Sequence, residues 1–146
     1  MTEQTQQADG DSRLTFSRGE QLAIGSAAVV VIAAFLPWIS ASILGTSVTV
    51  NGIDGDGVIT LGMAVVAGVL VVARQWDRIN RALVGVLGGL IAALALYYVV
   101  DPTTGIEGGD VAAELAREAV SPGIGLYLTA LGGVGLVIAA VLDSVR

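Results

Sequence analysis

Four uncharged apolar runs dominate this chain and leave few ways for it to fold. Leu22 to Ile39, Val58 to Ala73, Ala82 to Val100 and Ile124 to Leu142 contain no Asp, Glu, Lys or Arg. At 1.5 Å per residue the first run makes about 27 Å of helix, close to the roughly 30 Å of a bilayer's hydrocarbon core. The second run is shorter and needs loop residues or local thinning to cross. A chain that is 54% hydrophobic, with a mean hydropathy of +0.80, is too apolar for a domain with a wetted surface. The expected fold is therefore all-α and integral to a membrane: an antiparallel bundle of four transmembrane helices. A signal peptide competes for the first run, since Arg13 and Arg18 precede it and Ser40-Ala41-Ser42 follow, but signal cores are usually shorter.

The segments between the runs set the topology. Met1 to Gly19 is polar, with almost nothing to bury, and reads as a disordered cytoplasmic tail ahead of a membrane domain covering 20–146. Ser17 and Glu20 have the spacing of a capping box at the start of the first helix. Between Ser42 and Gly52 the periodicity changes to two, and Asn51-Gly52 is a favourable turn pair, so a small extracytoplasmic β-hairpin is expected there. Arg74, Arg78 and Arg81 crowd the connection between the second and third runs. By the positive-inside rule they belong in the cytoplasm, which puts both termini there too. Trp38, Tyr97, Tyr98 and Tyr127 then fall at outer span ends, where aromatic rings suit the interface. Asp110 to Val120 places Asp110, Glu114, Arg117 and Glu118 on one face and Val111, Leu115 and Ala119 on the other, the pattern of a short interfacial helix. Ser121-Pro122 supplies an N-cap and a first-turn proline for the fourth span.

Helices in lipid associate mainly through close van der Waals contact, which small residues permit. Gly85 and Gly89 form a GxxxG pair on the third run, Gly125, Thr129 and Gly133 a small stripe on the fourth, and Thr60, Ala64 and Gly68 one on the second. These are the candidate packing residues. They serve either the bundle itself or contact with a second copy or another membrane protein.

Chemistry is constrained mostly by what is missing. Without cysteine, histidine or lysine there is no thiolate or histidine metal site, no Ser-His-Asp triad, no Schiff base and no Walker lysine. The run Asn51 to Leu61 holds the one carboxylate motif of interest, Asp54 and Asp56 alternating with Gly55 and Gly57. An EF-hand register fails, because its first and last ligand positions would be Gly52 and Met63. Asp54 and Asp56 remain weak candidates for a shared divalent cation, with Asp101, Glu107 or Asp110 as helpers. Against this stands a simpler role, a glycine turn with an acid favoured by the helix dipole. An intramembrane aspartyl protease needs GxGD within a span, and Ile53-Asp54-Gly55-Asp56 lacks both the glycine and the location. No catalytic residue, cofactor or firm metal ligand is assigned, and no enzyme is expected. A net charge of −6, with 13 acids against 7 arginines, disfavours nucleic acid as a partner and has the balance of a salt-in halophile.

The segments FLPW from Phe35, GIDGDGVITL from Gly52 and SPGIGLYLTALGG from Ser121 resemble a group of small four-span membrane proteins of haloarchaea and some Gram-positive bacteria. In size, span count and composition the chain is also similar to the small envelope membrane protein of haloarchaeal pleomorphic viruses. The resemblance implies a structural protein of the cell membrane, or of a virion envelope derived from it, with lipid and a membrane partner as its contacts. The alternatives are a small transport or channel subunit and an accessory subunit of a larger complex. Ion pumps and relays carry ionisable residues inside their spans, and these runs have none.

Overall fold

The computed structural model describes residues 15–73, 76–103 and 111–145. The chain begins with helix α1, Arg18–Ala34, and its capping box is formed in full. Glu20 N–H donates to Ser17 Oγ at 3.2 Å, and Ser17 N–H donates to the Glu20 carboxylate at 2.6 Å. Most of the predicted polar tail lies outside the described residues, and its last two positions, Arg18 and Gly19, are already helical.

The expectation of four spanning helices is corrected by the structure. Two helices are long and apolar enough to cross a membrane, α3 (Arg78–Val100) and α5 (Ile124–Leu142), and they point to membrane association. Helix α2, Gly57–Val72, has only 16 residues and α1 only 17. The first apolar run is divided by Pro37. Proline has no N–H to give the carbonyl of Ala33, its ring clashes with that carbonyl, and it biases Leu36 towards extended backbone. The helix closes at Phe35 and the remainder of the run becomes strand β1, Pro37–Ile43.

The all-α expectation fails at the same place. Strand β2, Thr46–Asn51, pairs antiparallel with β1, and a third strand, β3 (Val120–Pro122), joins the other side of β1 to give the order β2-β1-β3. The hairpin turns at Leu44-Gly45, with φ of 51° and 82°, and not at Asn51-Gly52. Two consecutive positive φ values match the twist of paired strands, the reason primed turns dominate tight hairpins. Asn51 ends β2, and Gly52 opens a 3-10 turn, Gly52–Asp54. Ser121 and Pro122, expected to start the last helix, belong to β3. Pro122 sits opposite Ile39, and Gly123 is the N-cap of α5. The predicted interfacial helix is present as α4, Val111–Ala119, with Asp110 outside the described residues. Its Val111 and Leu115 face outward uncovered.

The four long helices pack as a bundle in which α5 lies against both α1 and α3, while α2 packs on α1 and α3. The interior is built from small side chains. Buried hydrophobic positions are mostly alanine, from Ala23, Ala27 and Ala33 on α1 to Ala139 and Ala140 on α5, with Val30, Ile91 and Leu136 as larger members. Large aliphatic residues point the other way. Val86, Leu90 and Leu96 on α3, and Leu131, Ile138 and Val141 on α5, are exposed. Size therefore runs opposite to that of a water-soluble core, where the large apolar side chains are the buried ones.

Closest approach between helices is set by particular glycines. A methyl group on Gly88 would lie 2.6 Å from Leu136 Cβ and 2.7 Å from the Gly133 carbonyl, and one on Gly133 would lie 2.6 Å from Ala92 N. On the α1 side, Gly132 meets Val30 and the Ser26 carbonyl. Among the packing residues read from the sequence, Gly125 and Gly133 stand at such contacts. Thr129 is fully buried and bonds the Gly125 carbonyl at 2.7 Å, Gly85 lies close to Ala140, and Gly68 makes only an ordinary contact with Ala27. Gly89 has nothing within 4 Å of where its Cβ would be. On α3 the closest approach to α5 is therefore at Gly88, with Gly85 also against it, while Gly89, the second glycine of the GxxxG pair, faces open space.

Candidate functional site

Polar groups of the structure concentrate at the two ends of the bundle. At the sheet end, Trp38 is 5% exposed and its indole N–H donates to the Ala33 carbonyl at 3.1 Å, taking the place of the N–H that Pro37 lacks beside the Leu36 N–H that bonds the same oxygen. The sequence expected this indole at a membrane interface, and the β-bulge at this point of β1 turns it inward. Gly52 and Gly125 make room for it. A Cβ on either would come within 2.6 Å of the indole.

Beside Trp38 lies a cavity of about 200 Å³, lined by Ile39, Val50, Asn51, Gly52, Asp56 and Tyr98. The Trp38 and Tyr98 rings are 6.3 Å apart and tilted by 55°. Tyr98 Oη donates to Asp56 Oδ2, tying the start of α2 to the last turn of α3. Asp56 occupies the N-cap position of α2, yet its side chain caps no N–H of that helix. Its carboxylate is used between helices instead. Asp54 is exposed on the 3-10 turn, and Asp101 accepts from Thr103 N–H at 3.1 Å. Among the described residues no three acids come together as a metal cluster, and Glu107 and Asp110 lie outside that set. Carboxylate, phenol and indole here make a latch that holds helix ends together.

The opposite end carries a denser network. Asp143, the C-cap of α5, accepts at Oδ2 from Ser17 Oγ at 2.7 Å and from Trp76 Nε1 at 2.7 Å. Arg81 Nη1 donates to the Asp143 backbone carbonyl. Gly19 permits this approach, since a Cβ there would collide with the Asp143 carboxylate and lie 2.9 Å from the Ala139 carbonyl. Each charge is placed against its own helix dipole, the acid at a C-terminus and the cation near an N-terminus. Each suits its antiparallel neighbour. Asp143 sits over the positive end of α1, and Arg81 over the negative end of α5. Arg78 lies in the same first turn of α3, whose N-cap Asp77 accepts from Asn80 N–H at 3.0 Å, so these arginines are helical and not part of a connecting loop. Arg74 lies outside the described residues.

Sequence reasoning overlooked Asp143, Trp76 and the inward role of Trp38. One signal was available. A lone acid directly after an apolar helix is opposed by the dipole there and implies donors from elsewhere in the fold. In comparisons with known proteins, no family model and no curated protein matches the chain.

Proposed function

We propose that this chain is a non-enzymatic structural membrane protein that packs its helices in lipid, with α3 and α5 the two long enough to cross a bilayer unaided, and offers its sheet and α4 to a partner outside. The observation that carries this reading is the inversion of side-chain size, with alanine and glycine inside and an uncharged belt of Val, Leu and Ile outside. Exposed to water, such a belt costs about 25 cal/mol per Å² of apolar surface. Hydrocarbon removes that cost, and close glycine contacts then supply the association energy.

The rim that gathers Ser17, Asp143 and the helical arginines Arg18, Arg78 and Arg81 is placed in the cytoplasm, and both termini with it. The protein is then a multi-pass component of the cell membrane, or of a virion envelope derived from one, in keeping with its resemblance to haloarchaeal membrane proteins. The test is extraction and labelling. The chain should stay with membranes through an alkaline carbonate wash. In intact cells an impermeant maleimide should label Thr46→Cys and not Ser144→Cys. Release by carbonate, or the reverse labelling, would overturn the proposal.

A further inference from the structure

The three strands are anchored at one end only. β1 leaves α1 at Pro37, β2 returns to α2 through Asn51, and β3 delivers the chain to α5. The opposite end is the turn at Leu44-Gly45, where Leu44 is fully exposed. Burial falls along β1 from Trp38 to an exposed Ser42 and Ile43, and Thr46 to Val50 of β2 are all exposed. At roughly 3.3 Å per residue, the hairpin reaches about 20 Å from its anchor.

Strand β1 is paired on both sides, so among the described residues β2 is an edge. In a two-residue hairpin the pair flanking the turn, here Ile43 and Thr46, exchanges hydrogen bonds, and the bonding then alternates along the ladder. Thr46, Val48 and Val50 therefore bond to β1, while Ser47, Thr49 and Asn51 direct N–H and C=O groups to the open side. Natural edges are blunted by charge, proline or bulges. β2 has none of these. The bulge lies in β1, and no charged residue occurs from Trp38 to Ile53.

We propose that β2 is a self-association edge, two copies pairing antiparallel about a twofold axis at Thr49 into one six-stranded sheet. A twofold matches a strand with its own reverse. With Thr49 opposite itself, Val48 faces Val50 and Ser47 faces Asn51, so apolar groups meet on one face and hydroxyl and amide groups on the other. Threonine opposite threonine is a favourable cross-strand pair. The register centred on Val48 fails, because it sets inward-bonding residues against each other. The chain carries a net charge of −6, and along this uncharged edge a contact between copies outside the lipid meets no like charge. The inference rests on the membrane reading above only in placing the hairpin outside the lipid.

The chain has no cysteine, so single substitutions report the contact without background. In mild detergent micelles, where copies can take any relative orientation, the wild type should sediment as a dimer at high protein-to-micelle ratio. Oxidation of Thr49→Cys should give covalent dimer at least about tenfold faster than oxidation of Leu44→Cys, which is more exposed but outside the paired stretch. Thr49→Pro removes an outward N–H while sparing the β1 ladder, and should weaken dimerisation by about tenfold or more, with circular dichroism unchanged. If that variant does not fold, Thr49→Lys tests the same contact by setting two like charges across the axis. A wild type that stays monomeric at every concentration, equal oxidation rates at positions 49 and 44, or a folded Thr49 variant that dimerises as the wild type does would overturn the proposal. Failure of the membrane reading is a separate result, a chain that stays dissolved without detergent.

Discussion

Gly88→Ala and Gly89→Ala are neighbouring substitutions of one methyl group each, and the structure gives them opposite signs. The methyl group on Gly88 would sit 2.6 Å from Leu136 Cβ and 2.7 Å from the Gly133 carbonyl, where ordinary carbon contacts lie at about 3.5–4.0 Å. One of those atoms is backbone, so a side-chain rotation cannot relieve it, and α3 and α5 must separate by roughly 1 Å. A radial gap of that size forfeits a quarter to a half of each pair's dispersion energy, and overpacking of this kind costs about 1–3 kcal/mol. Replacing glycine by alanine in a helix returns about 0.8–1 kcal/mol. The net expectation for Gly88→Ala is a loss of up to about 2 kcal/mol. At Gly89 the space is open, only the propensity gain remains, and the variant should be neutral or stabilised by up to about 1 kcal/mol. Denaturant titration in mixed micelles, followed by circular dichroism and tryptophan emission, reads the difference. A Gly89→Ala variant less stable than Gly88→Ala would refute the packing described here and restore the GxxxG register.

Three further outcomes follow from the two polar ends. Asp143→Ala leaves the Trp76 indole N–H and the Ser17 hydroxyl without their shared acceptor and should cost about 1–3 kcal/mol, with a changed Trp76 emission as its local signature. Trp38→Phe keeps most of the ring packing and removes one of the two donors to the Ala33 carbonyl, which keeps Leu36 N–H. A loss of about 0.5–1.5 kcal/mol is expected, read by thermal unfolding, and an unchanged midpoint would show that the indole bond adds nothing to stability. Tyr98→Phe removes only the tie to Asp56 at an exposed end and should cost about 0.5–1.5 kcal/mol. Faster hydrogen exchange confined to the first turn of α2 and the last turn of α3 is the corresponding local readout.

What could be read from residues alone was whatever depended on neighbours in sequence. The capping box at Ser17 and Glu20, the bounds of α5 and the amphipathic pattern of α4 follow from spacing and local propensity, and each is present. The latch between Asp56 and Tyr98 and the network around Asp143 join residues 42, 67 and 126 positions apart, and no local pattern encodes such distances. Small residues at helical spacing announced that helices would pack closely, but which glycine faces the partner depends on the rotation of one helix against the next, and so Gly88 took the place of Gly89. Apolarity without charge is likewise common to a buried strand and a helix, so composition could not locate the break at Pro37. Tertiary pairing decided it. β3 arrives from about eighty residues downstream to bond β1, and a backbone whose hydrogen bonds are met across the sheet has no need to continue as a helix.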